Sequence, residues 1–294
     1  VVKSMSTQVV MYKLILSDLT TAVNIASSAR IDKSYFNKES AAAVLAQVHQ
    51  VMGNWADASK YAKIAYGNNV ATALDASAYR NGFNDMNANK EWLLASPQSE
   101  DQSAYYWTAP FAFIDHTTTS YYATYINADF VSKFSNTDVR NLFVASSTIT
   151  NPADFRRYTT RKFKFNFGSD VPLIRTAEMI LIDAEALART PGKEAEAHDL
   201  LYALQKNRDV NAVKSTNTGA ALIDEILLER RKELYAENGV EWFDAKRLRK
   251  GITRTGNHRI FKNLSADDKR FFLKVPQSEI DANESIDDTV NKDR

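Results

Sequence analysis

Residues 229–247 read Glu229-Arg230-Arg231-Lys232-Glu233-Leu234-Tyr235-Ala236-Glu237-Asn238-Gly239-Val240-Glu241-Trp242-Phe243-Asp244-Ala245-Lys246-Arg247. The stretch is a charged helix broken by Asn238-Gly239, followed by a Trp-Phe-Asp turn that runs into basic residues. Its charges are too ordered for an ordinary solvated face. Upstream, the helix they belong to extends back to about residue 220. A partner helix is expected at about 194–208, with Ala197, Leu201 and Leu204 on its buried side. Pro191-Gly192 makes the turn before it. The strongest helical pattern of the chain lies at 173–189, with Leu173, Ala177, Leu181, Ala184 and Ala188 at helical spacing.

The same pattern appears near the start. Residues 8–29 read as an amphipathic helix through Tyr12, Ile15 or Leu16, Leu19, Val23 and Ala26. A helix at 38–52 has Asn37 as its N-cap, with Ala41, Val44, Leu45, Val48, Val51 and Met52 facing inward. Gly53-Asn54 ends it, and a third helix spans about 55–67 with Trp55, Ala58, Ala62 and Ala65. Alternating large and small residues on paired helices are the pattern of tetratricopeptide-like hairpins. The expected fold is therefore mainly α, with helical scaffold at 1–70 and 171–250 in one domain spanning 1–294.

Between the two sets of helices lies an insertion at about 71–170. Residues 83–167 hold 18 of the 32 aromatic residues, about twice an even share. The segment is rich in Ser, Thr and Asn and has little helical periodicity. Lys162-Phe163-Lys164-Phe165 alternates like a strand. A loop-rich insertion on a helical scaffold is where binding function is expected. Residues 251–294 read as an extended C-terminal segment, polar and acidic after Pro276.

Composition bounds the function. The chain has 294 residues and a formal net charge of +1, so no electrostatic case for nucleic acid or an anionic membrane arises. It has no cysteine, which excludes disulfides, thiolate catalysis and Cys-ligated zinc. The longest clean apolar run, Ala41–Ala46, cannot span a bilayer. No signal peptide is present at Val1, and a helical stripe starts almost at once, so a chain processed or truncated at its beginning is expected.

Few motifs carry chemistry. His49, His116, His198 and His258 lack metal spacing, so no metal and no cofactor is expected. With nine glycines and no P-loop or dinucleotide pattern, phosphate cradling is not supported. No Gly-x-Ser-x-Gly elbow exists. Arg175, Glu178 and Glu185 fall on one stripe of the 173–189 helix, and Glu229, Arg230, Arg231 and Glu233 supply complementary charges. Two acids could act as acid and base in a hydrolase. Nearby arginines keep such acids ionised, which favours an ion-pair network locking two helices. Trp242 and Phe243, after the helix break, are expected to anchor the core.

The aromatic cluster Tyr105-Tyr106-Trp107, with Tyr121, Tyr122 and Tyr125 nearby, lies in polar, non-periodic sequence. Consecutive residues of an extended chain face alternate sides, so at least one ring of the first three should point outward. Aromatic faces stack on the C–H faces of sugar rings, while Asn, Asp and Thr bind hydroxyls. Trp107 is the first candidate, Tyr105 and Tyr106 follow, and Trp92 and Tyr122 complete the expected ligand-binding set.

In chain order, several segments resemble the SusD/RagB family. The 229–247 stretch resembles its C-terminal signature, although Glu241 stands where the family more often has Arg and Asn238 intrudes before Gly239. Ile15-Leu16-Ser17-Asp18-Leu19 with Ala22 looks like its early helix. Ala41–Val51 followed by Asn54-Trp55-Ala56-Asp57-Ala58 looks like its tetratricopeptide hairpin. Lys90-Glu91-Trp92-Leu93-Leu94 resembles the segment opening the insertion, and Asp138-Val139-Arg140 its Asp-x-Arg element. Leu173–Leu181 with Ala184-Glu185-Ala186 is similar to its central helix, and Phe272–Pro276 with Glu279-Ile280 and Asn283 to its terminal motif. The resemblance implies non-catalytic binding of oligosaccharide at the Bacteroidetes cell surface. It implies delivery to a SusC-like TonB-dependent outer-membrane porin, and membrane attachment only through a lipid anchor missing from this chain. Family members are usually longer, so part of the ligand site is expected to lie outside it. The alternative is a tetratricopeptide-type scaffold binding a protein or peptide, which the aromatic insertion disfavours.

Overall fold

A computed structural model describes residues 6–81, 83–101, 110–118 and 121–292. Three helices open the chain: α1 (Gln8–Ile25), α2 (Lys38–Met52) and α3 (Trp55–Tyr66). α1 stops four residues before the expected end. Ala26 is already extended, and the Ser27 hydroxyl accepts from the Ala29 amide at 3.0 Å. Such side-chain-to-backbone bonds compete with helix continuation. α2 starts on a reciprocal cap, in which the Ser40 amide donates to Asn37 Oδ1 at 2.9 Å and the Asn37 amide to Ser40 Oγ at 2.8 Å. It ends at Gly53, whose φ of +74° is open to glycine at little cost.

The insertion holds short elements: α4 (Ala76–Tyr79), β1 (Trp92–Ser96), α5 (Ala128–Val131), β2 (Phe143–Ala145) and β3 (Tyr158–Thr160). β2 and β3 pair antiparallel, Phe143 opposite Thr160. The alternation at 162–165 does not make a strand. Phe163 and Phe165 are buried as alternation requires, but Lys162 is drawn fully inside as well.

β4 (Val171–Arg175) pairs antiparallel with β1, Trp92 opposite Arg175, and runs straight into α6 (Thr176–Ala188). The helix expected from 173 thus begins at 176. Residues 171–175 are taken by the sheet, and Glu91 receives the first free amides of the helix. Its carbonyl accepts from Thr176 N at 2.9 Å and its carboxylate from Ala177 N at 3.3 Å. Arg175 accordingly belongs to the strand, and does not share a helical stripe with Glu178 and Glu185. α7 (Glu194–Arg208) and α8 (Gly219–Leu234) follow, then α9 (Val240–Arg247). The C-terminal segment is less extended than expected: it forms α10 (Gln277–Ala282) and a single turn at Asp288–Asn291.

All thirteen residues of α6 are buried, because α3, α7 and α8 surround it. One apolar core joins Val23, Leu45, Ala62, Ile180, Leu201 and Ile226, so the helices before and after the insertion pack into one body. Helix-facing alanines at 42, 46, 58, 62, 177 and 184 are fully buried and let the helix axes approach. A second core, under the insertion, is built largely from aromatic rings: Tyr79, Phe83, Trp92, Phe111, Phe163 and Phe165. A third, smaller one gathers Phe130, Phe134 and Tyr235.

Candidate functional site

Between these cores lies a buried charge hub, and its centre is Glu233 on α8. Glu233 Oε1 accepts from Arg175 Nη1 at 3.1 Å and from Arg208 Nη2 at 3.0 Å. Oε2 accepts from Arg140 Nη1 at 3.1 Å and from Arg208 Nε at 3.0 Å. Arg140 also grips Asp138 through Nε and Nη2 at 2.9 and 2.8 Å and reaches Glu229 at 2.5 Å. Arg175 binds Glu237 bidentately at 2.7 and 2.8 Å and also pairs with Glu91. Lys162 donates to Glu237 at 2.6 Å and to the Glu233 and Tyr235 carbonyls. Lys232 closes the set on Asp138 at 2.9 Å. Five carboxylates therefore meet five cations, and the buried hub is formally neutral.

The electrostatics follow from this pairing. Burial pushes the Glu233 carboxyl up, but Arg208, Arg175 and Arg140 together hold it well below the usual range. Burial drives the Lys162 ammonium down to about 8, against the pull of Glu237. Against the push of burial, Glu237 and Asp138 are held down like Glu233, by Arg175 and Lys162 and by Arg140 and Lys232, so these acids stay ionised rather than poised to give up a proton. The other two acids pair outside the hub: Glu178 accepts from Arg230 Nη2 at 3.0 Å, as expected, and Glu185 from Arg247, beyond the 229–233 stretch, at 2.9 and 2.8 Å. These acids hold helices together.

The hub also shapes the surface. After α8 the chain runs through Ala236, Glu237, Asn238 and Gly239. Ala236, Asn238 and Gly239 are left-handed, with φ of +60°, +46° and +69°. Left-handed backbone at non-glycine residues costs free energy and persists only where the surroundings dictate it. Here Glu237 is pulled inward by Arg175 and Lys162, so its neighbours are pushed out. Asn238 Nδ2 donates to the Pro172 and Leu173 carbonyls at 3.1 and 2.9 Å, which fastens the turn to β4.

Beside this turn opens a cleft of about 270 Å³ that includes Phe113, Thr124, Pro172 and Asn238. Phe113 sits at the end of a tight turn, Pro110–Phe113, that buries Phe111 and leaves Phe113 37% exposed. Tyr121, 45% exposed, stacks on it with centroids 4.9 Å apart and planes 18° apart. The Tyr121 amide donates to the Ala112 carbonyl and the Thr124 amide to the Phe113 carbonyl, both at 2.9 Å, so the rings ride on fixed backbone. Asp115, buried below, accepts from the Phe165 amide at 2.8 Å and from Thr117 N at 2.7 Å, which ties this loop to the aromatic core.

Of the expected ligand residues, Tyr122 is at this surface, 42% exposed, with its ring 5.2 Å from that of His116. Tyr105, Tyr106 and Trp107 lie outside the described residues. Trp92 must be corrected. It is 1% exposed, walled into the aromatic core by the β1–β4 pairing, and has no face for a ligand. Phe243 is corrected in the other direction: it is 59% exposed on α9, while Trp242 packs on Phe271 with centroids 4.7 Å apart. Phe113 was missed, since nothing in Phe111-Ala112-Phe113 distinguishes the inward ring from the outward one. Among the described residues, no group of acidic and histidine side chains is arranged to hold a metal ion.

The chain is thus a helical body locked by internal ion pairs, carrying a loop-rich insertion with exposed rings. Residues 57–291 match the SusD family, and the chain belongs to that family. The fold is shared with a SusD-like carbohydrate-binding protein of Bacteroides vulgatus (23% identity, TM-score 0.84, covering 97% of this chain and 66% of that one). It is shared equally with a SusD superfamily protein of Bacteroides thetaiotaomicron (26% identity, TM-score 0.84, covering 97% and 67%). A second SusD superfamily protein of Bacteroides vulgatus matches at 18% identity with a TM-score of 0.80, covering 94% and 64%. The chain thus spans about two thirds of the length of these structures. Comparison with curated proteins returns no match.

Proposed function

We propose that this protein binds oligosaccharide, without catalysis, at the outer-membrane surface and passes it to a SusC-like TonB-dependent transporter. The observation that carries the binding step is the exposed Phe113–Tyr121 stack at the mouth of the cleft bounded by Asn238. The two rings stack nearly parallel, one over the other, so their exposed part meets a sugar face at small entropic cost. Thr124 and Asn238 line the same cleft and supply polar groups for hydroxyls. Tyr122 extends the aromatic surface, and Tyr105, Tyr106 and Trp107, separated in sequence from Pro110 by Thr108 and Ala109, are proposed to complete it. Stacking contributes about 1 kcal/mol per ring, so intrinsic affinity is weak, and proximity to the transporter supplies the remainder. No helix among the described residues is long and apolar enough to cross a membrane.

A glycan array run beside a hydrolysis assay on the same sample tests the reading. Retention of glycans without turnover is expected, with retention lowered in Tyr121→Ala. Turnover of any bound glycan would overturn the non-catalytic assignment. Binding of peptides in place of glycans would favour a scaffold function. Co-purification with a TonB-dependent porin from the same cells tests the delivery step.

A further inference from the structure

On the other side of the 236–239 turn lies a second cleft, of about 330 Å³, and Asn238 lines both. β4 joins them too: Pro172 borders the first and Leu173, the next residue, borders the second. The rim of the second cleft is apolar and exposed, with Phe243 at 59%, Val51 at 47% and Leu173 at 38%. Its remaining walls carry Glu178, Arg230, Asp244 and Arg247. These charges compensate one another. Arg230 donates to Glu178 at 3.0 Å and to Asp244 at 2.9 Å, and Arg247 donates to Asp244 at 2.7 Å. Two cations face two carboxylates, so the cleft has no net attraction for an anionic or a cationic group.

One polar group is left over. Arg230 is 4% exposed, yet its Nη1 meets no acceptor among the described residues. That nitrogen is shut off from the cleft as well, so it is no contact for a ligand there. An exposed ring for a C–H face and a carboxylate at Asp244 for hydroxyls suit a neutral sugar ring.

We propose that a neutral oligosaccharide runs from the Phe113–Tyr121 platform across Asn238 into this cleft, with Phe243 as its far stacking ring. The inference rests on the reading of the platform as a sugar site and adds its length and charge class. Two clefts separated by a turn require a chain of several rings. A disaccharide occupies the platform alone.

Isothermal titration with neutral malto-, cello-, xylo- and manno-oligosaccharides, from disaccharide to octasaccharide, tests this with wild type, Tyr121→Ala, Phe243→Ala and Val51→Trp. Phe243 and Val51 are exposed, so these variants should fold, and unchanged melting temperatures confirm it. Wild-type affinity should rise with chain length and then level off. Phe243→Ala, and Val51→Trp by filling the cleft, should weaken the long ligands about three- to tenfold and leave the disaccharide unchanged. Equal binding of all lengths by wild type and both cleft variants, with loss only in Tyr121→Ala, overturns the extended site and keeps the platform. Loss in the cleft variants but not in Tyr121→Ala overturns the platform. A wild-type protein that binds none of the neutral ladders overturns both.

Discussion

The charge hub around Glu233 and the aromatic loop around Tyr121 use unusual residues in opposite ways. In the hub, arginines, glutamates and a lysine that normally face water are buried completely. In the loop, rings that normally fill a core are left 37–45% exposed. Buried ion pairs gain little over a well-packed apolar core, because desolvation offsets their attraction. What they provide is geometry: each carboxylate fixes the direction of two or three donors. The hub fixes the 236–239 turn in a backbone shape that it would not adopt alone. The loop needs that fixed partner, because a weak stacking site binds only where its rings and polar groups are already in place. One region is therefore built for position and the other for contact.

This contrast can be broken most forcefully at Glu233. Glu233→Ala leaves Arg175, Arg208 and Arg140 short of their shared acceptor, and we expect a loss of about 3–5 kcal/mol in urea unfolding. If the variant kept wild-type stability, the hub would not hold the fold. Trp92→Ala should cost a similar amount, about 3–5 kcal/mol, by opening a cavity in the aromatic core. The fraction that remains folded should bind glycan as wild type does, and titration that showed a selective binding loss would return Trp92 to the site. Glu178→Ala comes next. It frees Arg230 from one of its two acceptors and Gln47 from its partner at 3.0 Å. A lower melting temperature is expected, with unchanged affinity for a disaccharide, which occupies the platform alone.

The pH dependence sharpens the same contrast. Glu233, Glu237, Glu185 and Asp138 are held below their ordinary values in the fold. Their contribution is complete above the unfolded values, about 3.9–4.3, and is lost as pH falls through the folded ones. Asp183, raised by burial, acts the other way: its contribution is full below its unfolded value and declines as pH rises through the folded one. Lys162, at about 8 in the fold, makes the protein gain stability through this group as pH rises from about 8 to its unfolded value near 10.4. Urea titrations at neutral pH and below pH 4 should show a steep acid loss. A flat profile would mean that the hub pairs are not formed in solution. The smallest effect belongs to the loop. Tyr121→Ala should leave the melting temperature nearly unchanged and reduce glycan affinity by about 0.5–1.5 kcal/mol, read by titration calorimetry.

Much of the scaffold was legible because helical cores leave a periodic trace. Asn37, Gly53, Ala41 and Leu45 of α2, Ala58 and Ala62 of α3, and Ala177 and Ala184 of α6 sit where spacing placed them, whereas Val51 and Met52, at the end of α2, come out exposed. The order of Glu229, Arg230 and Glu233 announced an ion-pair network, and the network exists. Its full membership was not legible. Glu91, the Asp138–Arg140 pair, Lys162 and Arg208 come from four separate segments, and only the folded chain brings them into one network around Glu233 and Glu237. Lys162 in particular lies in an alternating stretch that reads as a strand with its lysines outward. The pull of Glu237 and two carbonyls reverses that side chain.

The sequence by itself determined the helical class, the position of the insertion and the excess of aromatic residues within it. These depend on local period and composition, which each segment carries whatever its neighbours do. Tertiary structure alone decided which rings face water. Trp92 follows Lys90-Glu91 and Phe113 stands among Phe111, Ala112 and Ile114, yet strand pairing with β4 buries the first and a single tight turn exposes the second. Irregular backbone has no fixed period, so the side on which a ring emerges is set by what packs against it.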